Sequence, residues 1–280
     1  LFIYDTSITI FWLASNNCTT LSCQKYENKY NPDNSTSSND LHLRQNITYA
    51  IGFVRGRLYS DTVSLNHHVN HKKLYNKELI AKDCNILCIY NEKYITETIA
   101  DGVLGLGIND EGNSKYSLIK LLYEQNQITA PSFSFYLLNN IGKNVSRVYI
   151  GDIMENTYIH NLFKNNIKNC HVAPGIKYWE CKLNNTIEMH EDNQKNSFYI
   201  NSNLSVIFDT GTSYTIIPKD DYIAIVQHFN NDLKKNCHTN QFEQLICECK
   251  SIYEFGDLKL FFDVNNYFEI HLYQLIKYKS

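Results

Sequence analysis

The chain has 280 residues, 43% hydrophobic and 13% aromatic, enough to bury a sizeable core in one large domain or two smaller ones. Its 26 Lys and Arg against 29 Asp and Glu give a net charge of -3 with no basic stripe, which argues against nucleic acid or an anionic membrane surface as a partner. The most apolar uncharged stretches, Thr6 to Ala14 and Pro131 to Leu138, are too short to span a bilayer, and no basic segment opens the chain. The first residue is Leu1 rather than Met, as expected of a processed product or a fragment.

Taken in chain order, an apolar run at the start delivers Asp5-Thr6, and residues 31 to 40 (NPDNSTSSND) hold no large apolar side chain and read as a loop. Leu118, Leu121 and Leu122 recur at helical spacing behind Ser117. Alternation at Phe133 to Leu138 and Val148 to Ile150 indicates strands, and the polar stretch from Asn184 to Asn203 indicates loops or hairpin ends. A strand signal at Ser205 to Phe208 precedes a second helix, in which Tyr222, Ile225, Val226, Phe229 and Leu233 recur behind Pro218 and Asp220. Near the end, Leu258 to Val264 and Tyr267 to Leu272 flank an Asn265-Asn266 turn, the pattern of a hairpin. The pattern is that of a β body with two short surface helices.

The 35 Asn, with abundant Lys, Ile and Tyr, follow A/T-rich codons rather than a function. Six N-x-S/T sequons, at Asn17, Asn34, Asn46, Asn144, Asn184 and Asn203, are near the number that such a composition produces by chance. The nine cysteines fall locally: Cys18 and Cys23, Cys84 and Cys88, Cys170 and Cys181, then Cys237, Cys247 and Cys249. Close pairs suit short disulfide-closed loops in an oxidising lumen. Cys237, His238, Cys247 and Cys249 also offer four zinc ligands, although C-x-C departs from the usual knuckle spacing. His67, His68 and His71 lie beside lysines and read as a solvated loop rather than a metal site. Neither a metal nor a cofactor is expected.

The strongest chemical signal is an internal echo: residues 2 to 7 read FIYDTS, and residues 206 to 213 read VIFDTGTS. Each is an apolar, strand-like run ending in Asp-Thr and a small residue. Alone, either Asp-Thr is a turn cap after a strand. Together they suggest two rigidly held carboxylates that cannot both ionise easily, so that one keeps its proton while the other acts as base. Such a pair activates water against a carbonyl without a nucleophilic side chain or a metal.

These motifs resemble those of the pepsin-like aspartic proteinases, and the resemblance covers nearly the whole chain. Asp209-Thr210-Gly211-Thr212-Ser213 resembles the second catalytic motif, and Asp5-Thr6 with Phe11-Trp12 the first. Cys18 to Cys23 has the spacing of the family's small disulfide loop, and Ile47 to Gly52 followed by Gly56 and Asp61-Thr62-Val63 resembles the flap hairpin. Asp101 to Gly107 resembles the segment beneath the first Asp, Phe133 to Leu137 and Ile150 to Ile153 the end of the first lobe, and Tyr178-Trp179 a strand of the second. The Asn, Lys and Tyr bias points toward the plasmepsin branch.

The resemblance implies an all-β, bilobal fold with lobes at residues 1–153 and 154–280 and a cleft between them. It implies an aspartic endopeptidase with an acidic optimum, in which Asp5 and Asp209 form the dyad. Thr6 and Thr210 would interlock, Trp12 would support the flap tyrosine Tyr49, and Tyr49, Ser7, Gly211 and Thr212 would contact substrate. Polypeptide substrates, a monomer, a zymogen-type origin and a secretory, vacuolar or extracellular location follow from it. Two features depart from the pattern. Ser7 stands where the family has glycine and Ile8 where a serine donates to the first Asp; a narrowed or strained site and a raised Asp5 pKa are the expectation. The chain also lacks a later Gly-containing strand, so the second lobe is expected to be incomplete, with unpaired edges and a partner for Cys249 beyond Ser280. An inactive peptide-binding homologue and, more remotely, a cysteine-rich surface module remain as alternatives.

Overall fold

A computed structural model describes residues 2–49, 52–65, 78–93, 95, 100–108, 113–137, 146–155, 161, 167–172, 175, 177–184, 187–190, 198–200, 205–251, 255–263 and 266–271. The histidines at 67, 68 and 71, the sequons at Asn144 and Asn203, the flap-tip residues Ala50 and Ile51, and Asn265 of the expected turn lie outside them. The fold is mainly β, and the chain divides into two compact units. The first comprises residues 1–165, 175–179 and 208–211, and the second comprises 166–174, 180–207 and 212–280.

The first unit is built on a six-stranded sheet from β1 (Phe2–Asp5), β2 (Phe11–Ala14), β3 (Asn39–Tyr49), β4 (Gly52–Leu65), β5 (Leu79–Lys93) and β6 (Gly102–Gly105), in the order β1-β6-β2-β5-β4-β3. Strand periodicity on β5 sends Cys84, Ile86 and Cys88 to one face and Leu87 and Ile89 to the other, so each face has its own core. The first core packs Phe11 and Leu104 against Leu118, Ile119, Leu121 and Leu122 of α1 (Leu118–Glu124). Ser117 caps that helix by accepting from the Lys120 amide at 3.4 Å, the start its sequence indicated. The helix buries four of its seven residues, so it is a core element and not the expected surface helix. The second core gathers Trp12, Val54, Leu58, Leu87 and the Cys18–Cys23 pair. A hairpin of β7 (Phe133–Tyr136) and β8 (Arg147–Ile150) completes this unit's described strands.

The second unit holds β9 (Glu180–Lys182) to β16, with β10 (Ile187–His190), β11 (Phe198–Ile200), β15 (Asp257–Asp263) and β16 (Asn266–His271) in one sheet, ordered β11-β10-β15-β16. The expected terminal hairpin is the β15–β16 pair. The polar stretch after Asn184 forms the β10–β11 pairing. Two further pairs are β9 with β12 (Ser205–Ile207), and β13 (Asn236–Thr239) with β14 (Leu245–Glu248). The helix α2 (Lys219–Asn231) packs Phe229 against Phe255 and Cys237. No helix among the described residues is long and apolar enough to cross a membrane.

Disulfides join Cys18 to Cys23, Cys170 to Cys181 and Cys237 to Cys247. The last consumes two of the four thiol and imidazole groups considered for zinc. The local pairing of Cys84 with Cys88 does not occur, and Cys249 is also unbonded. Both former residues point from one face of β5, where four residues of extended chain separate their Cα atoms by roughly 13 Å. A disulfide needs about 5.5 Å. Burial pushes both thiols up to about 12, with Asp61 adding to the effect, so they remain unreactive core residues.

Candidate active site

Strand β1 delivers Asp5 to its own C-terminal end. It runs parallel to β6 with Asp5 opposite Gly105, and the Leu106 amide donates to the Asp5 carbonyl at 2.7 Å. The backbone is therefore pinned on both sides of the acid, and the residue is 5% exposed. The glycines 105 and 107 permit this proximity: a Cβ on Gly107 would stand 2.8 Å from the Ile8 carbonyl. Segment 101–107 thus lies against the first Asp as the motif resemblance implied.

Phe208 to Gly211 belongs to the first unit, so both Asp-Thr motifs meet there. The Thr6 amide donates to Thr210 Oγ1 at 3.1 Å, and the Thr210 amide donates to Thr6 Oγ1 at 3.0 Å. The Thr6 hydroxyl then donates to the Phe208 carbonyl at 2.7 Å, and the Thr210 hydroxyl to the Tyr4 carbonyl at 2.6 Å. The internal echo becomes a reciprocal exchange, each threonine bonding the residue before the other motif's Asp. Each Asp accepts the amide two residues on: Asp5 Oδ1 from Ser7 and Asp209 Oδ1 from Gly211, both at 2.8 Å. Gly211 lies directly against Asp5, since a Cβ there would be 2.6 to 2.7 Å from the Asp5 carboxylate atoms.

Burial raises the Asp5 pKa above its ordinary value of 3.8; bonds from the Ser7 hydroxyl and amide pull it down, the nearby Asp209 charge pushes it up again, and the Ile8 amide lowers it. The direction matches the expectation from the sequence, but the cause differs. The donor missing at Ile8 is replaced, because Ser7 Oγ donates to Asp5 Oδ1 at 2.7 Å. Nor is the turn strained: Ser7 is absent from the left-handed region, and the backbone needs no glycine at this position. Ser7, expected to touch substrate, places its hydroxyl on the Asp5 carboxyl group.

Tyr49 ends β3 at the tip of the β3–β4 hairpin, opposite Gly52. The Trp12 indole donates to its hydroxyl at 2.7 Å. Burial raises the Tyr49 pKa, and so does the charge of Asp5, which lies near enough to act on it. Thr212 is exposed and belongs to the second unit. The expected strand at Tyr178-Trp179 begins instead at Glu180, and Trp179 turns into the first unit, donating to the Leu106 carbonyl at 2.8 Å. Sequence reasoning missed this support for the segment beside Asp5, whose only signal was an isolated indole ahead of a short strand. It also missed that Asp61 gathers Tyr30, Ser35 and Ser37, which ties the polar loop to β4.

A mainly-β chain that pairs two Asp-Thr motifs beside a hairpin tyrosine has the architecture of an acid protease. The chain belongs to the eukaryotic aspartyl protease family, whose profile it matches over residues 1–279. It is 23% identical to pepsin A of Sus scrofa over 91% of its own length and 60% of that protein. It is 27% identical to plasmepsin IV of Plasmodium falciparum, isolate 3D7, over 78% of this chain and 43% of the relative. With pregnancy-associated glycoprotein 2 of Bos taurus it shares 25% identity over 65% of this chain and 44% of that one. The chain thus spans between 43% and 60% of the length of these curated relatives.

Proposed function

We propose that this chain supplies the catalytic dyad of an aspartic endopeptidase, with Asp5 and Asp209 sharing one proton. The observation that carries the reading is the reciprocal Thr6–Thr210 exchange, which brings the two acids together while each accepts an amide from its own motif. Two like charges so placed do not ionise together at mildly acidic pH. A water between them gives its proton to the ionised carboxylate as its oxygen bonds to the peptide carbon, and the protonated carboxyl gives its proton to the carbonyl oxygen. The resulting diol collapses as the C–N bond breaks, the carboxyl that took the water proton giving it to the leaving nitrogen while a diol hydroxyl returns its proton to the other carboxylate, which restores the singly protonated dyad. Thr212 and Gly211 would bind substrate backbone, and Tyr49, held by Trp12, would close over the peptide.

Polypeptides are the substrate class, and three disulfides suit an oxidising, secretory-derived compartment. The test is cleavage of a fluorogenic peptide at mildly acidic pH, with Asp209→Ala as control and a transition-state-mimicking peptide as inhibitor. Cleavage above the control and abolished by the inhibitor is the expected result. Cleavage no greater than the control, with the inhibitor still bound, gives the chain to the alternative of a peptide-binding homologue.

A further inference from the structure

The two motifs carry different residues two positions after the acid, Ser7 and Gly211. Asp209 receives the Gly211 amide, and glycine has no side chain to add. Asp5 receives both the Ser7 amide at 2.8 Å and the Ser7 hydroxyl at 2.7 Å, converging on the same oxygen, Oδ1. The next residue, Ile8, has no side-chain donor and packs against the core of Trp12, Val54 and Leu58 that also holds Tyr49. Asp5 is buried, so water does not substitute for a missing protein donor as it would for an exposed acid.

We infer that Ser7 is a positioning residue for Asp5, fixing the carboxyl group through Oδ1, while Ile8 is freed to pack against the same core as the hairpin tyrosine. The inference rests on the aspartic endopeptidase reading. Its chemical content is that one amide and one hydroxyl, both from residue 7, form a two-point clamp on a single oxygen. Rotation of the carboxyl group then breaks two hydrogen bonds at once. The departure from glycine is therefore a relocation of the donor by one residue and not a loss of it. The exchange is possible because the Ser7 side chain turns toward the acid.

The consequence is readable in pH. Asp5 is buried and lies near the Asp209 charge, both of which raise its pKa, so its ionisation acts on the alkaline limb of kcat/KM. Ser7→Ala removes a bond that favours ionised Asp5, and the alkaline limb moves to higher pH by about one unit. At the optimum kcat falls roughly tenfold, the factor one lost hydrogen bond to a buried group represents. Ser7→Thr, which keeps the hydroxyl, holds the limb within a few tenths of wild type. The Ser7→Gly/Ile8→Ser double variant, which moves the donor to residue 8, lies nearer wild type than Ser7→Gly alone.

A carboxyl carbon NMR titration of Asp5 in wild type and Ser7→Ala reads the same shift without turnover, and remains decisive if the threonine variant does not fold. An Asp5 titration unchanged by Ser7→Ala overturns the inference. A wild-type chain that cleaves nothing, but whose Asp5 titration moves up in Ser7→Ala, refutes the endopeptidase reading and leaves the clamp standing.

Discussion

Replacing Thr6 and Thr210 by valine, singly and together, tests the junction of the two motifs. Thr6→Val removes the donation to the Phe208 carbonyl and the acceptance of the Thr210 amide. Both orphaned groups belong to residues on the exposed side, Phe208 being 40% exposed, so water satisfies them and the cost is near the net value of two hydrogen bonds, about 2 kcal/mol. Thr210→Val removes the donation to the Tyr4 carbonyl and orphans the Thr6 amide, which belongs to a residue only 5% exposed. An unpaired buried donor bears its own desolvation cost, so this variant loses roughly 3 kcal/mol. The more exposed threonine is thus expected to be the more costly to replace. The double variant falls short of the sum, because both side chains hold the same segment and releasing it once releases it for both. Tryptophan fluorescence in urea is the suitable assay: both tryptophans, Trp12 and Trp179, belong to the first unit and report on it alone. If Thr210→Val costs under about 0.5 kcal/mol, as an ordinary surface change does, the reasoning fails.

Three further outcomes are expected. Gly211→Ala places a methyl 2.6 Å from the Asp5 carboxyl carbon, so the carboxyl or the 208–211 segment must shift; peptide cleavage should drop at least a hundredfold and the urea midpoint of the first unit should fall, and retained cleavage would show that the segment yields. Replacing Cys18 and Cys23 together by alanine opens a short loop buried against Trp12 and Val54, and the loop-entropy relation puts the loss at about 2 kcal/mol, checked by urea unfolding with and without reductant. Burial works to raise the Asp61 pKa, but bonds from Ser37, Tyr30, Ser35 and the Thr62 amide outweigh it and hold the carboxyl below 3.8, so its stabilisation is present above that pH and is lost as pH falls through the lowered value. Asp5 has the opposite sign, contributing fully below 3.8 and losing its contribution as pH rises through its raised value. Asp61→Asn should therefore flatten the acid side of the stability profile, and an unchanged acid slope would contradict the assignment.

What the sequence makes legible follows the range of the interactions. The two helices could be read because their caps and periodicity lie within a few residues, as Ser117 and the leucines of α1 show. The Cys18–Cys23 loop was legible for the same reason, and the echoed Asp-Thr runs were legible because strand geometry demands apolar residues leading into the acid. Cys84 and Cys88 were misread although they are equally close in sequence, because a spacing of four means proximity in a helix or loop and separation in a strand. The burial of α1 depends on β5, a partner about thirty residues away, and amphipathic spacing shows a helix only which face is apolar and not how much of it is covered. Trp179 reaching Leu106 and Thr210 reaching Tyr4 are pairings over 73 and 206 residues that no local pattern encodes.

The same distinction explains why Ser7 looked like a defect. In sequence it replaces a residue without a side chain, and the natural reading is obstruction. Its equivalent in the second motif, Gly211, shows what obstruction requires: a Cβ there meets the Asp5 carboxylate at 2.6 to 2.7 Å. The two positions are related by the internal echo yet face different neighbours. Gly211 lies against the other motif's acid, whereas the side chain of Ser7 turns to its own, where the contact is a hydrogen bond at 2.7 Å. One side chain is accommodated at the junction because it faces a carboxylate as a donor; a second, at residue 211, faces a carboxylate as a steric intruder. The departure from symmetry is therefore tolerable only in the first motif, and exchanging the two residues, Ser7→Gly with Gly211→Ser, should abolish what either motif alone permits.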